Sequence, residues 1–192
     1  LEVFDLSFEG WYLDGNWSGS YLPYAMVEGN RVIANVSVNL MDFLWEGERR
    51  RYIQLGTVMT HPDFRGQGLC RRLMEQVLED WQENCDSIYL FANSTVLDFY
   101  PKFGFVREQE QEYSLPAFPE LEPKQALSGD FRKLSTGCPE DRQLLFQCFD
   151  CGNPFSRFAM TENRGLLMFY CGGFFKDCIY YSQKYHAAAI AE

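Results

Sequence analysis

Apolar positions are most regularly spaced between residues 52 and 81, YIQLGTVMTHPDFRGQGLCRRLMEQVLEDW, where two different periods meet. From Ile53 to Thr60 the side chains alternate, with Ile53, Leu55 and Met59 on one face and Gln54, Val58 and Thr60 on the other. That pattern predicts a strand, which Pro62 ends. From Leu69 the apolar positions follow a helical period instead. Leu69, Leu73, Met74, Val77, Leu78 and Trp81 form one stripe, while Arg71, Arg72, Glu75, Glu79 and Asp80 lie outside it. A helix is therefore predicted to start near Gln67, entered through Gly66 and Gly68.

The flanking segments read as more of the same layer. Residues 1–20 are helix and loop, with Trp11, Tyr12 and Trp17 placed either to face a substrate or to plug one end of a sheet. Tyr21–Val27 and Arg31–Leu40 flank Glu28-Gly29-Asn30, and Val32, Ala34, Val36, Val38 and Leu40 alternate with Asn35, Ser37 and Asn39, which predicts a hairpin. A turn near Glu46-Gly47 makes the 53–60 strand the third member of an antiparallel meander. Ser87–Ala92, reached by a helical crossover, is expected to lie parallel to that strand. A short helix over Thr95–Tyr100, a glycine cap at Gly104 and a returning strand over Phe105–Leu115 complete this part.

Pro116, Pro119 and Pro123 then predict a stiff linker over 116–128, dividing a first domain, 1–115, from a partial second one, 129–192. The latter opens with a helix in EDRQLLFQCFDC, breaks at Gly-Asn-Pro, and continues with a long apolar helix in LLMFYCGGFFKDCIYY and a strand in AAAIAE. Leu1 is not a methionine, and both ends look cut from something longer.

The strand, glycine turn and helix together make an anion cradle. Gly66 and Gly68 leave backbone N–H groups uncovered at a helix start, where unpaired donors and the positive end of the helix dipole converge. Arg65, Arg71 and Arg72 add formal charge. Two common phosphate loops fail on spacing. No lysine stands where a P-loop needs Gly-Lys-Ser/Thr, and Arg71 occupies the third glycine of the dinucleotide fingerprint.

Arg65-Gly66-Gln67-Gly68-Leu69-Cys70 resembles the R/Q-x-x-G-x-G/A signature of the GNAT superfamily of acyl-CoA-dependent N-acetyltransferases, and His61-Pro62-Asp63 before it is common there. Cys70 departs from the pattern at its last position. A second segment, LFANSTVLDFYPKFGFV over residues 90–106, is similar to the family's strand, Asn, short helix and Tyr-x-x-x-Gly-Phe run. The resemblance implies an α+β GNAT fold: a mixed, mostly antiparallel sheet with a splayed central parallel pair, flanked by helices.

It further implies that acetyl-CoA is the cosubstrate, held by Val58, Met59 and Thr60 along its pantetheine arm, by Arg65, Gly66, Gln67, Gly68, Leu69, Cys70 and Arg71 at its pyrophosphate, and by Asn93. Tyr100 falls where many members place the acid that protonates the departing thiolate. No base is assigned, leaving ordered water or a distant acid such as Asp42. No metal is called for, because the donor arrives activated. The order of elements in 129–192 resembles the opening of a second GNAT copy, without a second R-x-x-G-x-G/A turn.

Composition changes this picture in a few places. A net charge of −10 argues against a nucleic-acid partner and suits a cationic amine, although an acidic surface also serves solubility alone. Arg49-Arg50-Arg51 reads as a solvated strand end or as a second hold on coenzyme phosphates. Seven cysteines with no signal-peptide pattern point to the cytoplasm, and Cys148-x-x-Cys151 lacks the further pair or histidines that a zinc site wants. No apolar run approaches the roughly 18 residues of a membrane span. The expected function is N-acetyl transfer to a primary amine of a small molecule or peptide, with a second copy of the chain as a candidate partner in a homodimer; the alternative is a non-catalytic acyl-CoA-binding or sensor module.

Overall fold

The computed structural model describes residues 7–111, 130–153 and 156–191. Its first sheet is the expected meander: β1 (Tyr21–Glu28), β2 (Arg31–Trp45) and β3 (Glu48–Thr60) run antiparallel, and β4 (Ser87–Leu90) lies parallel to β3. Trp45 pairs with Glu48 around Glu46 and Gly47, both at positive φ (53° and 88°), the conformation a two-residue hairpin turn demands.

The crossover between β3 and β4 is α2 (Leu69–Trp81), which starts two residues later than the spacing suggested. Leu73, Met74 and Val77 are buried on Ala34, Val36 and Val38 of β2 and on Ile53 and Leu55 of β3; Leu69 and Trp81 pack at the ends of the stripe. The far end of α2 is pinned by the indole of Trp81, which donates to the Tyr24 hydroxyl (2.9 Å), and that hydroxyl donates to Asp80 (2.8 Å). Burial, then the Asp80 carboxylate, raises the pKa of Tyr24.

The alternation read along β3 changes phase midway. Ser37 of β2 is paired with Gly56 but Asn35 with Met59, so Thr57 and Val58 together face Val36. That extra residue is a β-bulge, and it moves every later side chain to the opposite face. Val58 and Thr60, expected opposite Ile53 and Leu55, instead join them on the α2 side: Val58 packs in that core, and the Thr60 hydroxyl meets Cys70 of α2. Met59 is turned to the face of Asn35.

Thr57 takes a φ of 45°, a left-handed conformation that costs a β-branched residue on the order of 1–3 kcal/mol. A polar cluster holds it there. Its hydroxyl donates to Ser37 Oγ (2.6 Å), and the Asn35 amide donates to Thr57 O (3.0 Å), Thr57 Oγ1 (3.1 Å) and Ser37 Oγ (2.9 Å). Tyr21 closes the group through its hydroxyl, 2.8 Å from Ser37 Oγ.

Beyond β4 the structure differs from the expected elements. The short helix is two 3₁₀ turns, Ser94–Val96 and Tyr100–Phe103. Residues 105–111 form no strand, and 112–115 lie outside the described residues, as does the linker expected at 116–128. The long apolar helix is broken: α4 (Arg164–Phe169) passes into a π turn over Tyr170–Phe174, because Gly172-Gly173 interrupts it. The chain then extends, and Ile179–Ser182 is a strand where more helix was expected.

A small second sheet, β5 (Phe131–Lys133), β7 (Ile179–Ser182) and β8 (Ala187–Ile190), packs with α3 (Pro139–Asp150) and α4 around Leu134, Leu145, Met168, Cys171, Ile179 and Tyr181. This part also returns to the first sheet. β6 (Phe158–Thr161) pairs with Asp42–Trp45, the stretch of β2 that extends past the end of β1, and so covers an edge that would otherwise lie open. Phe158 stacks on Phe43 at 4.2 Å. At the other end of the chain α1 (Glu9–Leu13) sends Trp11 into the second core.

The bulge gives a direct test. Thr57→Val keeps the strained φ and removes the hydroxyl, so unfolding in urea should show a loss of about 1–3 kcal/mol. Thr57→Gly also loses the hydroxyl but relaxes the backbone and should lose less. Equal stability of Thr57→Val and the parent protein would show that the cluster does not hold the bulge.

Candidate active site

β3 and β4 are hydrogen-bonded over four pairs only, from Tyr52 with Ser87 to Leu55 with Leu90. Past Leu55, β3 continues to Thr60 with no β4 partner, so the two strands part where the bulge begins. This fork is open toward the start of α2. It is bordered by the backbone of Val58, Met59 and Thr60, the three residues singled out for the pantetheine arm.

The turn between β3 and α2 is built locally. His61 accepts from the Asp63 amide through Nδ1 (3.3 Å), Pro62 fits the first position of the 3₁₀ turn Pro62–Phe64, and Arg65 leaves it in extended conformation. Gly66 and Gly68 come next, at φ 78° and 73°. An L side chain there would cost about 1–2 kcal/mol, and nothing lies within 4 Å of where either Cβ would stand, so the space above the turn is free for a ligand.

The first intrahelical bond runs from Arg72 N to Gly68 O (3.1 Å), which leaves the amides of Leu69, Cys70 and Arg71 ahead of it, with no acidic side chain in the first turn. Arg65 and Arg71 are exposed beside this turn. Arg65 Nε reaches Thr60 O (3.4 Å), while Arg71 lies over the Phe103 ring at 5.6 Å and 3.8 Å from Glu75. Gln67 is exposed between the two glycines.

Cys70, the departure from the family pattern, ties the helix to the strand. Its thiol donates to Met59 O (3.1 Å) and accepts from the Thr60 hydroxyl (3.0 Å). Burial raises its pKa, against a smaller opposing effect of Thr60, so Cys70 is a thiol and not a thiolate at neutral pH. One of the backbone groups expected to serve the pantetheine arm, the Met59 carbonyl, thus already has a partner.

Tyr100 is 9% exposed and packs in the α2-side core, T-shaped against Phe99 at 5.3 Å. Its pKa is raised, first by burial and then by the charge that Cys70 would carry.

Two other expected roles are occupied. Asn93 is exposed and caps the turn Ser94–Val96, accepting from Thr95 N and Thr95 Oγ1 at 3.0 Å each, which is structure without any ligand. Asp42, offered as a distant base, is held by Arg51 through Nε (2.7 Å) and Nη2 (3.0 Å). The arginine run is likewise engaged: Arg49 with Glu162, and Arg50 with Glu48 and Asp86. Ten residues of strand, about 33 Å, separate Arg50 from Thr60, too far to reach an anion at α2.

The periodicity gave no signal for the opposite face of the sheet. There Trp11, Tyr21 and Phe169 border a cavity with Asn39, Gln54 and Thr57, and residues of α4 close it. Tyr12 points away at 61% exposure, and Trp17 stacks edge-on against Tyr21 at 4.8 Å.

Residues 24–107 match the family model described as an acetyltransferase (GNAT) domain. The uncharacterized N-acetyltransferase ycf52 of Gracilaria tenuistipitata var. liui is 41% identical over 54 residues, 28% of this chain and 30% of the relative. The chain thus spans about three tenths of the length of that relative. Among solved structures, an acetyltransferase of Trypanosoma brucei is 22% identical with a TM-score of 0.47, covering 58% of this chain and 80% of that one. A predicted acetyltransferase of Clostridium acetobutylicum, solved with acetyl-CoA, is 19% identical with a TM-score of 0.47, covering 58% and 77%.

The Cys70 environment predicts a reactivity order. At pH 7.5 iodoacetamide should modify exposed Cys151 well before Cys70, as tracked by peptide mass mapping, and Cys70 should gain reactivity only as the pH climbs past the ordinary thiol range. Equal rates at both cysteines would show that the thiol is not buried against Met59 O.

Proposed function

We propose that this chain, whose residues 24–107 match the family model of an acetyltransferase (GNAT) domain, is an N-acetyltransferase moving an acetyl group from acetyl-CoA to a primary amine of a small molecule or peptide. One observation carries the reading: β3 and β4 part after Leu55, and the fork they leave opens onto the glycine turn at the start of α2. An extended arm with an anionic end fits such a place. The arm would lie along Val58, Met59 and Thr60, and the pyrophosphate on the amides of Leu69, Cys70 and Arg71, with Arg65 and Arg71 supplying charge and Gly66, Gln67 and Gly68 forming the turn.

Transfer requires a neutral amine to attack the thioester carbonyl, a donor for the developing oxyanion, and a proton for the thiolate that leaves. A backbone N–H of the bulged strand near Met59 is the donor in this reading. Tyr100 is the proton source in this reading: a phenol is protonated at neutral pH, and burial raises its pKa further. With Asp42 engaged by Arg51, the amine loses its proton to water. Asn93 contributes to the shape of the fork through its cap.

The cytoplasm is the compartment we favour, because all seven cysteines are free. No helix among the described residues is long and apolar enough to cross a membrane.

Calorimetry with acetyl-CoA, paired with assays of thiol release, tests this reading. Tyr100→Phe should lower kcat by at least about a hundredfold and leave acetyl-CoA affinity little changed, the signature of a lost acid. A kcat within a few-fold of the parent, with weakened stability and affinity, would make Tyr100 a packing residue. Tight acetyl-CoA binding without turnover on any amine would favour the acyl-CoA-binding module instead.

A further inference from the structure

On the sheet face that α2 leaves uncovered lies a cavity of about 170 Å³. Its floor includes Gln54, Gly56 and Thr57 of β3. Gln54 is paired with Tyr89, whereas Gly56 is the first residue past the last pair between β3 and β4. The cavity and the fork therefore share one stretch of backbone at Gly56 and Thr57. A Cβ at Gly56 would stand 3.4 Å from the Asn39 amide, so the glycine leaves that part of the cavity floor clear.

The walls differ in kind from the mouth of the fork. Among the described residues, no charged side chain lines the cavity; rings come from α1, β1 and α4, and the polar groups are hydroxyls and the neutral amides of Asn39, Gln54 and Asn163. An ammonium placed there would find aromatic faces, worth about 0.5–2 kcal/mol each, but no carboxylate to offset a desolvation cost of several kcal/mol. The volume also lies below the roughly 300–1,000 Å³ of sites that enclose drug-sized ligands. Only a compact group fits.

The walls are held in place as well. Asn163, 4% exposed, donates to Leu40 O (3.0 Å) and accepts from Leu166 N (3.0 Å), which fixes the start of α4 on β2. Trp11 Nε1 donates to Gly165 O (2.7 Å), and a Cβ at Gly165 would come within 2.5 Å of Asn16 O, so α4 and the α1 loop are in close contact. A wall fixed this way selects by shape.

We propose that this cavity is the acceptor site and that it takes a primary amine with a compact, uncharged, apolar body while excluding polycations. The proposal rests on the acetyltransferase reading above and sharpens it; the charge of −10 over the whole chain is not the chemistry of the cavity. In the reaction the amine nitrogen forms a bond to the acetyl carbon and the C–S bond breaks. The sulfur leaves with its electron pair and takes a proton from Tyr100, and the surplus amine proton passes to water, from which Tyr100 is restored.

Two measurements on the full chain test this. Titration of tryptophan emission without acetyl-CoA reads binding at Trp11, and release of coenzyme A thiol reads transfer. Isopentylamine and benzylamine should shift the emission and be acetylated with kcat/KM at least tenfold above spermidine and lysine. Leu166→Trp, which fills the cavity, should raise their KM at least tenfold with acetyl-CoA affinity within twofold; Ser20→Leu, on the cavity's rim, is the second variant should the first not fold.

Preference for spermidine or lysine overturns the proposal, as does a filled cavity with unchanged KM. So does the absence of any emission shift with the apolar amines. If those amines do bind selectively and acetyl-CoA binds, yet no thiol is released, the cavity's selectivity stands and the transferase reading falls.

Discussion

A strand carrying one residue more than its partner has to buckle, and β3 does so at Thr57 and Val58, opposite Val36 of β2. The rest of the site depends on that irregularity. It coincides with the place where β4 stops pairing with β3, so the sheet opens instead of closing, and it re-aims the last residues of β3 so that Thr60 meets Cys70 while Met59 faces the other side. A left-handed Thr57 is unfavourable alone. Tyr21, Asn35 and Ser37 offset it with several hydrogen bonds of about 0.5–1.5 kcal/mol each, drawn from both other strands of the meander.

Helix α2 brings a helix N-terminus to that opening. Its apolar stripe fixes it over the sheet, Trp81 and Tyr24 hold its far end, and Cys70 fastens its near end to Met59. The glycine turn is consequently presented at the mouth of the fork with its amides free and its surroundings open. Cys70 gives up the smallest side chains usual at this point in exchange for a direct bond between helix and strand, and burial keeps that thiol protonated.

The two faces of the sheet differ in chemistry. One presents arginines and helix amides; the other presents rings and neutral amides in a small enclosure. Residues beyond 156 take part in that second face, because β6 continues the edge that β1 leaves and Asn163 places α4 immediately after it. The same segments build a second core around Leu145, Met168 and Ile179, so the stability of that core and the shape of the enclosure are coupled.

The sequence by itself determined the meander, the parallel return at Ser87, the α2 stripe and the glycine turn, because each is encoded by periods of two or 3.6 residues or by glycine within one continuous stretch. It also pointed to Tyr100 and Cys70 by their place in a motif. Only the tertiary structure decided the rest. The bulge could not be seen, since a one-residue insertion is defined by the partner strand and nothing in Gly56-Thr57-Val58 marks it. The break at Gly172-Gly173 was masked by apolar neighbours that suit a helix and a strand alike. The capture of Asp42 by Arg51 depends on the cross-strand register of β2 and β3, while the docking of β6 and the enclosure beneath Trp11 and Phe169 join residues far apart in the chain, and such pairings have no period for a sequence to display.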